Sequence, residues 1–358
     1  MRYIIIGAGA VGGAIGGRLA GAGHDVVLVA RGAQYAALRD GGLRFRTPDG
    51  EHTHHLPVVD GPAALGELRT DDVLVLAVKT QHSEAALDTW APAPVAGGTR
   101  TAAEQLPLVC AQNGVESQRL ALRRFRRVYG VCVWLPATFV EPGVVSAAGA
   151  PLTGILHIGR FPHGTDGTDG TDGTDGTARR IAADLESSRF EAPVVPDVTR
   201  WQYAKLLGNL ANSIEAVSGV LTSEEGLKLY ERVRAEGEAV LAAAGIAYAS
   251  EEEQKEARGD KIRFEPFDGS QRGAGSSWQS LNRGTGTIEA DYLNGEIVLL
   301  GRLHGVPTPL NELLQRLANA FARERREAGS MPVAELVRFA DEAAEPVAFV
   351  QEDRARRS

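Results

Sequence analysis

Tyr3-Ile4-Ile5-Ile6-Gly7-Ala8-Gly9-Ala10-Val11-Gly12, followed by an Ala/Gly/Leu run, opens the chain and decides how the rest of it is read. The four-residue apolar start reads as a buried strand, the glycines as a tight turn, and the following segment as a helix. Strand, G-x-G-x-x-G turn and helix N-terminus together form a dinucleotide-binding fingerprint. Each glycine has a physical task. Gly7 permits the turn, Gly9 removes a side chain where a pyrophosphate must approach, and Gly12 lets helix and strand pack closely. The helix start adds unpaired N–H groups and a positive dipole end, so Gly7, Ala8, Gly9, Ala10, Val11 and Gly12 are the candidate phosphate cradle.

Moving outward, Asp25–Ala30 is the next strand, and where an acidic residue would hold a ribose 2′-hydroxyl the chain has Ala30 and Arg31. A guanidinium suits a 2′-phosphate, so the cofactor is read as NADPH; the bland alternative for Arg31 is a solvated surface charge. Asp72–Val78 and Leu106–Ala111 read as interior strands that run into Lys79-Thr80-Gln81 and Gln112-Asn113-Gly114. Ligands of doubly wound sheets collect beyond the carboxyl ends of the strands, which puts those polar residues within reach of a nicotinamide or its ribose. Strands alternating with helical segments up to about Pro162 predict an α/β fold with a doubly wound parallel sheet.

The 358 residues are enough for two domains, and 43% hydrophobic with 23% charged residues is a globular composition. A net charge of −8 argues against sequence-independent nucleic-acid binding, and Arg123, Arg124, Arg126 and Arg127 read as a solvated helix end. No apolar run approaches the roughly 20 residues that cross a bilayer, and the opening strand is not a signal segment, so a cytoplasmic location is expected. Cys110 and Cys132 sit in apolar runs and read as small buried hydrophobes. His52, His54 and His55 lack partners at metal-ligand spacing and read as a polar loop or edge hairpin.

Gly164–Thr177 repeats Gly-Thr-Asp and reads as a mobile surface loop. Helix then dominates: Ala178–Ser187, a long helix from Arg200, Ser223–Ala244, Thr287–Leu303, and one started by Thr308-Pro309. Glu251–Arg263 reads as a solvated helix or excursion, and the chain becomes irregular from about Ala328. The expected organisation is a dinucleotide-binding domain over 1–196, an all-helical substrate domain over 197–330, and a partly disordered extension over 331–358.

Lys205, Asn209 and Ser213 follow at intervals of four, placing them on one helix face among apolar neighbours. A lysine partly desolvated in a cleft loses proton affinity and becomes a usable general acid, although a Lys with an Asn one turn on is more often an exposed helix face.

With these residues in view the chain resembles the ketopantoate reductase (2-dehydropantoate 2-reductase) family from Gly7 to about Ala320. The likeness rests on the glycine turn, Val78-Lys79, Gln112-Asn113-Gly114-Val115, Glu141-Pro142-Gly143, Lys205-Leu206 with Asn209, Ser276-Ser277, and Thr287 to Gly295 leading into Gly305-Val306-Pro307-Thr308-Pro309. The resemblance implies a Rossmann-type sheet domain followed by a helical one, and NADPH-dependent reduction of ketopantoate to pantoate, as in pantothenate and coenzyme A biosynthesis. It implies Lys205 as catalytic proton donor and Glu289 as its acidic partner. It places Asn113, Lys205, Asn209, Ser213 and Ser277 at the substrate, and Lys79, Asn113, Ala137 and Glu289 at the cofactor. The implied partner is a small-molecule keto acid, and a homodimer is one assembly it allows. Trp278-Gln279-Ser280-Leu281 departs from the family's Ser-Ser context, and Ser213 replaces a family Asn; the Glu251–Gly275 excursion and the Gly-Thr-Asp loop are additional. These departures leave open a different keto acid, and a sensor that binds NADPH without turnover is the reading from another class.

Overall fold

A computed structural model describes residues 1–163, 175–267, 275–284 and 286–345. The chain divides into two compact units: Met1–Asn209 with Ile246–Gly273, and Leu210–Gly245 with Ala274–Ser358.

The first unit is built on an eight-stranded sheet ordered Phe190–Glu191, Gly154–Phe161, Val128–Trp134, Leu108–Cys110, Asp72–Leu76, Arg2–Ile6, Asp25–Val29, Val58–Val59. The last six in that order are mutually parallel, and Gly154–Phe161 joins antiparallel to Val128–Trp134. The opening strand is central, with Asp25–Val29 on one side and Asp72–Leu76 on the other, so the strand order reverses beside it. Period-two side chains divide cleanly between two cores. Tyr3, Ile5, Val26, Leu28, Val73 and Val75 serve one face, and Ile4, Ile6, Val27, Val29, Leu74 and Leu76 the other. At the amino end of this central strand Arg2 forms a bidentate pair with buried Asp72, both contacts at 2.7 Å.

A second sheet, ordered Gly50–His54, Leu43–Thr47, Val144–Ala147, Ala137–Glu141, packs on the Ala10–Gly21 helix. His52 and His54 lie in its edge strand, as the hairpin reading expects. Among the described residues no group of His, Cys, Asp or Glu is arranged to hold a metal. Cys110 and Cys132 are free and buried.

The compact units part at Asn209, twelve residues beyond the expected boundary near Asp197. The reason is packing: the Val198–Asn209 helix is bound to the sheet. Gln202 donates to Val131 O at 3.3 Å and accepts from Gln118 at 2.5 Å, and the Cys132 thiol donates to Trp201 O at 3.3 Å. Ile246–Gly273 returns to the same unit, where Ile262–Phe264 pairs antiparallel with Gly149–Pro151 and Arg200 meets Glu253 at 3.0 Å.

The second unit comprises helices over Ala211–Ser218, Glu224–Ala243, Ser276–Asn282, Asn294–His304, Pro309–Glu324 and Val333–Ala344. Three expectations change here. The long helix from Arg200 breaks at Leu210, so Lys205 and Asn209 end one helix while Ser213 lies in the next. The Thr287–Leu303 helix begins only at Asn294, after a 3-10 turn over Ala290–Tyr292, because the Asn294 side chain is drawn into a buried network. Val333–Ala344 is helical rather than irregular, with Leu336 and Ala340 buried one turn apart. The Gly-Thr-Asp repeat up to residue 174, residues 268–274 of the excursion and the charged C-terminal end from 346 lie outside the described residues. Gly176 and Thr177 already belong to the Gly176–Ser187 helix, whose first turn Asp175 caps by accepting from Ala178 N at 2.7 Å.

Candidate functional site

The glycine turn has the geometry its sequence requires. Gly7 lies at φ +108, where a side chain is strained, and a Cβ there would also come within 2.8 Å of Val78 N. A Cβ on Gly12 would fall 2.1 Å from Gly7 O. At Gly9 it would meet no protein atom within 4 Å, which leaves an open approach over the backbone. Gly9 caps the Ala10–Gly21 helix, so the amides of Ala10, Val11 and Gly12 have no intrahelical acceptor. An open cradle of backbone donors at a helix start is the shape and charge a pyrophosphate fits. Gln34, which sequence reading missed, fixes this turn to the second sheet: its amide donates to Ala8 O at 2.7 Å and accepts from Gly143 N at 2.7 Å. Its sequence signal was weak, a single Gln inside a helix.

Arg31 is exposed, just past the Asp25–Val29 strand and at the N-cap of the Gly32–Gly41 helix. Lys79 is half-buried and precedes a 3-10 turn over Thr80–His82. Asn113 is half-buried, its carbonyl accepting from the Thr80 hydroxyl at 3.3 Å. Gln112 beside it donates to Val78 O at 2.6 Å and to the Ser83 hydroxyl at 2.9 Å, which ties the two strand ends together. Ala137 starts an edge strand of the second sheet and is half-buried.

Lys205 is half-buried on the Val198–Asn209 helix, and its ammonium donates to Val133 O near the carboxyl end of the Val128–Trp134 strand. Burial, with a lesser contribution from the charge of Arg258, holds its proton affinity below that of an ordinary lysine. One turn on, the Asn209 amide Nδ2 is buried with no hydrogen-bond partner among the described residues. The surrounding wall is aromatic: His157 stacks on Trp201 at 4.0 Å, and Trp134 meets both edge-on at 4.9 and 5.9 Å. Burial pushes His157 down to about 4 and the Cys132 thiol up to about 12, so both are neutral near pH 7.

The remaining expected residues belong to the helical unit. Glu289 is buried at the head of the Ala290–Tyr292 turn, and its charge supports the Arg283 guanidinium against desolvation. Ser277 is 2% exposed and its hydroxyl has no partner among the described residues. Ser213 is fully buried, and its hydroxyl donates to Asn294 at 2.6 Å; Asn294 in turn donates to Asn311 at 3.0 Å. That hydroxyl is committed to a framework network, closed by Glu236 accepting from the amides of Leu310 and Asn311. The structure therefore gathers the turn, Arg31, Lys79, Asn113, Ala137, Lys205 and Asn209 in the first unit, and Ser213, Ser277 and Glu289 in the second.

Residues 3–163 match the model of the ketopantoate reductase PanE/ApbA family, and residues 197–322 match that of its C-terminal domain. A 2-dehydropantoate 2-reductase of Mesorhizobium japonicum is 28% identical over 347 residues, covering 91% of this chain and 99% of its own. The crystal structure of a PanE/ApbA family ketopantoate reductase from Ralstonia eutropha superposes with a TM-score of 0.72 at 26% identity, over 91% of this chain and all of the other. A D-mandelate dehydrogenase solved with NADH and anilino(oxo)acetate shares the fold at a TM-score of 0.73 and 21% identity, over 91% of this chain and all of the other. The glycine turn, the half-buried lysine and these matches together place the chain in the ketopantoate reductase family, as an oxidoreductase acting on a CH–OH group.

Proposed function

We propose that the protein reduces ketopantoate to pantoate, with NADPH as reductant. The observation that carries the reading is Lys205: an ammonium whose proton affinity is lowered by burial, held by a backbone carbonyl near the carboxyl end of a strand in the sheet that also bears the glycine turn. The nicotinamide supplies a hydride when bound. Ala10, Val11 and Gly12 would offer their amides to its pyrophosphate and Arg31 its guanidinium to a 2′-phosphate, and Lys79, Asn113 and Ala137 are the proposed contacts of its ribose and ring. Lys205 donates its proton to the keto oxygen as hydride reaches the carbon, and its charge stabilises the developing alkoxide before transfer is complete. Asn209 and Ser277, each with a buried polar atom that lacks a partner among the described residues, are the proposed substrate hydrogen-bonding groups, and Glu289 the proposed acidic partner of the lysine or of a substrate hydroxyl.

NADPH-dependent reduction of a different keto acid is the second reading, favoured by the Trp278-Gln279-Ser280-Leu281 segment that follows the paired serines. A panel of 2-keto acids assayed with NADPH and NADH separates the two. Ketopantoate with NADPH should give the highest kcat/KM; a different best acceptor moves the substrate, a preference for NADH removes the role given to Arg31, and no turnover leaves the NADPH-binding sensor.

A further inference from the structure

The geometry points to Arg258, on the excursion that follows Ile246, as the residue that grips the carboxylate of the keto-acid substrate. This rests on the reading of Lys205 as the proton donor.

Arg258 ends the Glu251–Arg258 helix, which belongs to the same compact unit as Lys205. That helix is held firmly for so polar a segment. Ser250 and Glu253 form a reciprocal capping box, Arg200 binds Glu253, and Ala257 packs against the cluster of Cys132, Trp134 and Ile155. The helix thereby delivers one cation to a set place, with the Arg258 guanidinium over the Trp134 ring, 4.9 Å from its centroid. Trp134 is the residue after Val133, whose carbonyl holds Lys205. Two cations thus converge on the last residues of one strand, at the end of the sheet where ligands of doubly wound folds collect.

Several arginines of this unit are paired with a carboxylate. Arg2 has Asp72, Arg18 has Asp49, Arg46 has Glu51, Arg124 has Asp88 and Arg200 has Glu253. Arg258 is exposed and, among the described residues, its guanidinium has no carboxylate and no hydrogen-bond acceptor. Placing it beside a second positive charge is unfavourable unless an anion joins them, and Cys132, which neighbours Lys205, is neutral. A 2-keto acid carries its carboxylate on the atom next to the reacting carbonyl. An anion spanning the two cations would present the keto oxygen to Lys205 and the carboxylate to the planar fork of Arg258.

The test is steady-state kinetics of the full-length enzyme with NADPH on the best keto acid and on its methyl ester, which keeps the carbonyl and removes the charge. Arg258→Ala should raise KM for the acid by about 10- to 100-fold with kcat changed by about threefold or less, and Arg258→Lys should recover part of the loss. The ester should be reduced equally by parent and variant. The high-pH limb that reports Lys205 should move upward in Arg258→Ala, since a like charge has been removed. Circular dichroism and NADPH affinity check that the variant is folded. A folded variant with unchanged KM for the acid, or with the same loss on acid and ester, overturns the role of Arg258 while leaving the reductase reading intact. Absence of turnover by the parent on every keto acid overturns both.

Discussion

Two corners of the main sheet handle positive charge in opposite ways. Beside the opening strand, Arg31 stands exposed next to a turn kept open by Gly9, and that corner is all backbone donors and accessible charge. At the end of the Val128–Trp134 strand, Lys205 is held half-buried against an aromatic wall, with burial depressing its proton affinity. An exposed guanidinium keeps its proton at every accessible pH and serves as a fixed charge. An ammonium in a dry wall is tunable, because its neighbours act through a lower effective dielectric. One corner is suited to holding a polyanion and the other to moving a proton.

The largest effect expected from this contrast is at the dry corner. Lys205→Ala should lower kcat by about 10³-fold with NADPH affinity nearly unchanged, measured by stopped-flow turnover and by quenching on cofactor binding. In the parent, reduction should decline as pH rises through the depressed lysine value, since only the protonated form donates. An equal loss of cofactor affinity in the variant would blur the division between the corners.

His157 tests the same wall through stability. It folds neutral, its ordinary value of 6.5 pushed down to about 4, so the unfolded chain takes up the proton first. Stability is therefore complete above about 6.5 and declines as pH falls toward about 4, by about 3 kcal/mol for that shift. In urea titrations at pH 7 and pH 4, His157→Phe should lack this part of the acid loss.

The open corner should respond with smaller changes that separate packing from binding. Gly12→Ala, whose Cβ would collide with Gly7 O, should cost about 1–3 kcal/mol of stability as well as cofactor affinity. Gly9→Ala has free space and should leave the melting temperature unchanged while weakening NADPH by about tenfold, because only the ligand meets the added methyl. The smallest effect is Arg31→Ala, expected to reduce the preference for NADPH over NADH by about tenfold, read from the ratio of kcat/KM values.

How far each corner could be read beforehand follows from how local its physics is. The glycine turn is written in ten consecutive residues, and strand, turn and helix all appear where Tyr3–Gly12 places them. Lys205 was visible as a lysine among apolar neighbours, but its carbonyl partner Val133 lies 72 residues away and no spacing rule connects them. Ser213 shows the reverse. Its interval from Asn209 suggested a shared helix face, whereas a break at Leu210 and a bond to Asn294, 81 residues on, turn its hydroxyl into the core of the helical unit. The Glu251–Arg263 stretch reads as a solvated helix or excursion; only Glu251–Arg258 is helical, and Ile262–Phe264 is a strand whose pairing with Gly149–Pro151, which only the folded chain supplies, attaches it to the sheet unit.

That attachment has a practical corollary for anyone dissecting the molecule. The sheet unit is assembled from two separate stretches of polypeptide, so a fragment cut after residue 196 would lose both the helix bearing Lys205 and the returning strand at Ile262–Phe264. A faithful excision would have to splice residue 209 to residue 246 through a new linker, and the helical unit would need the complementary splice from 245 to 274.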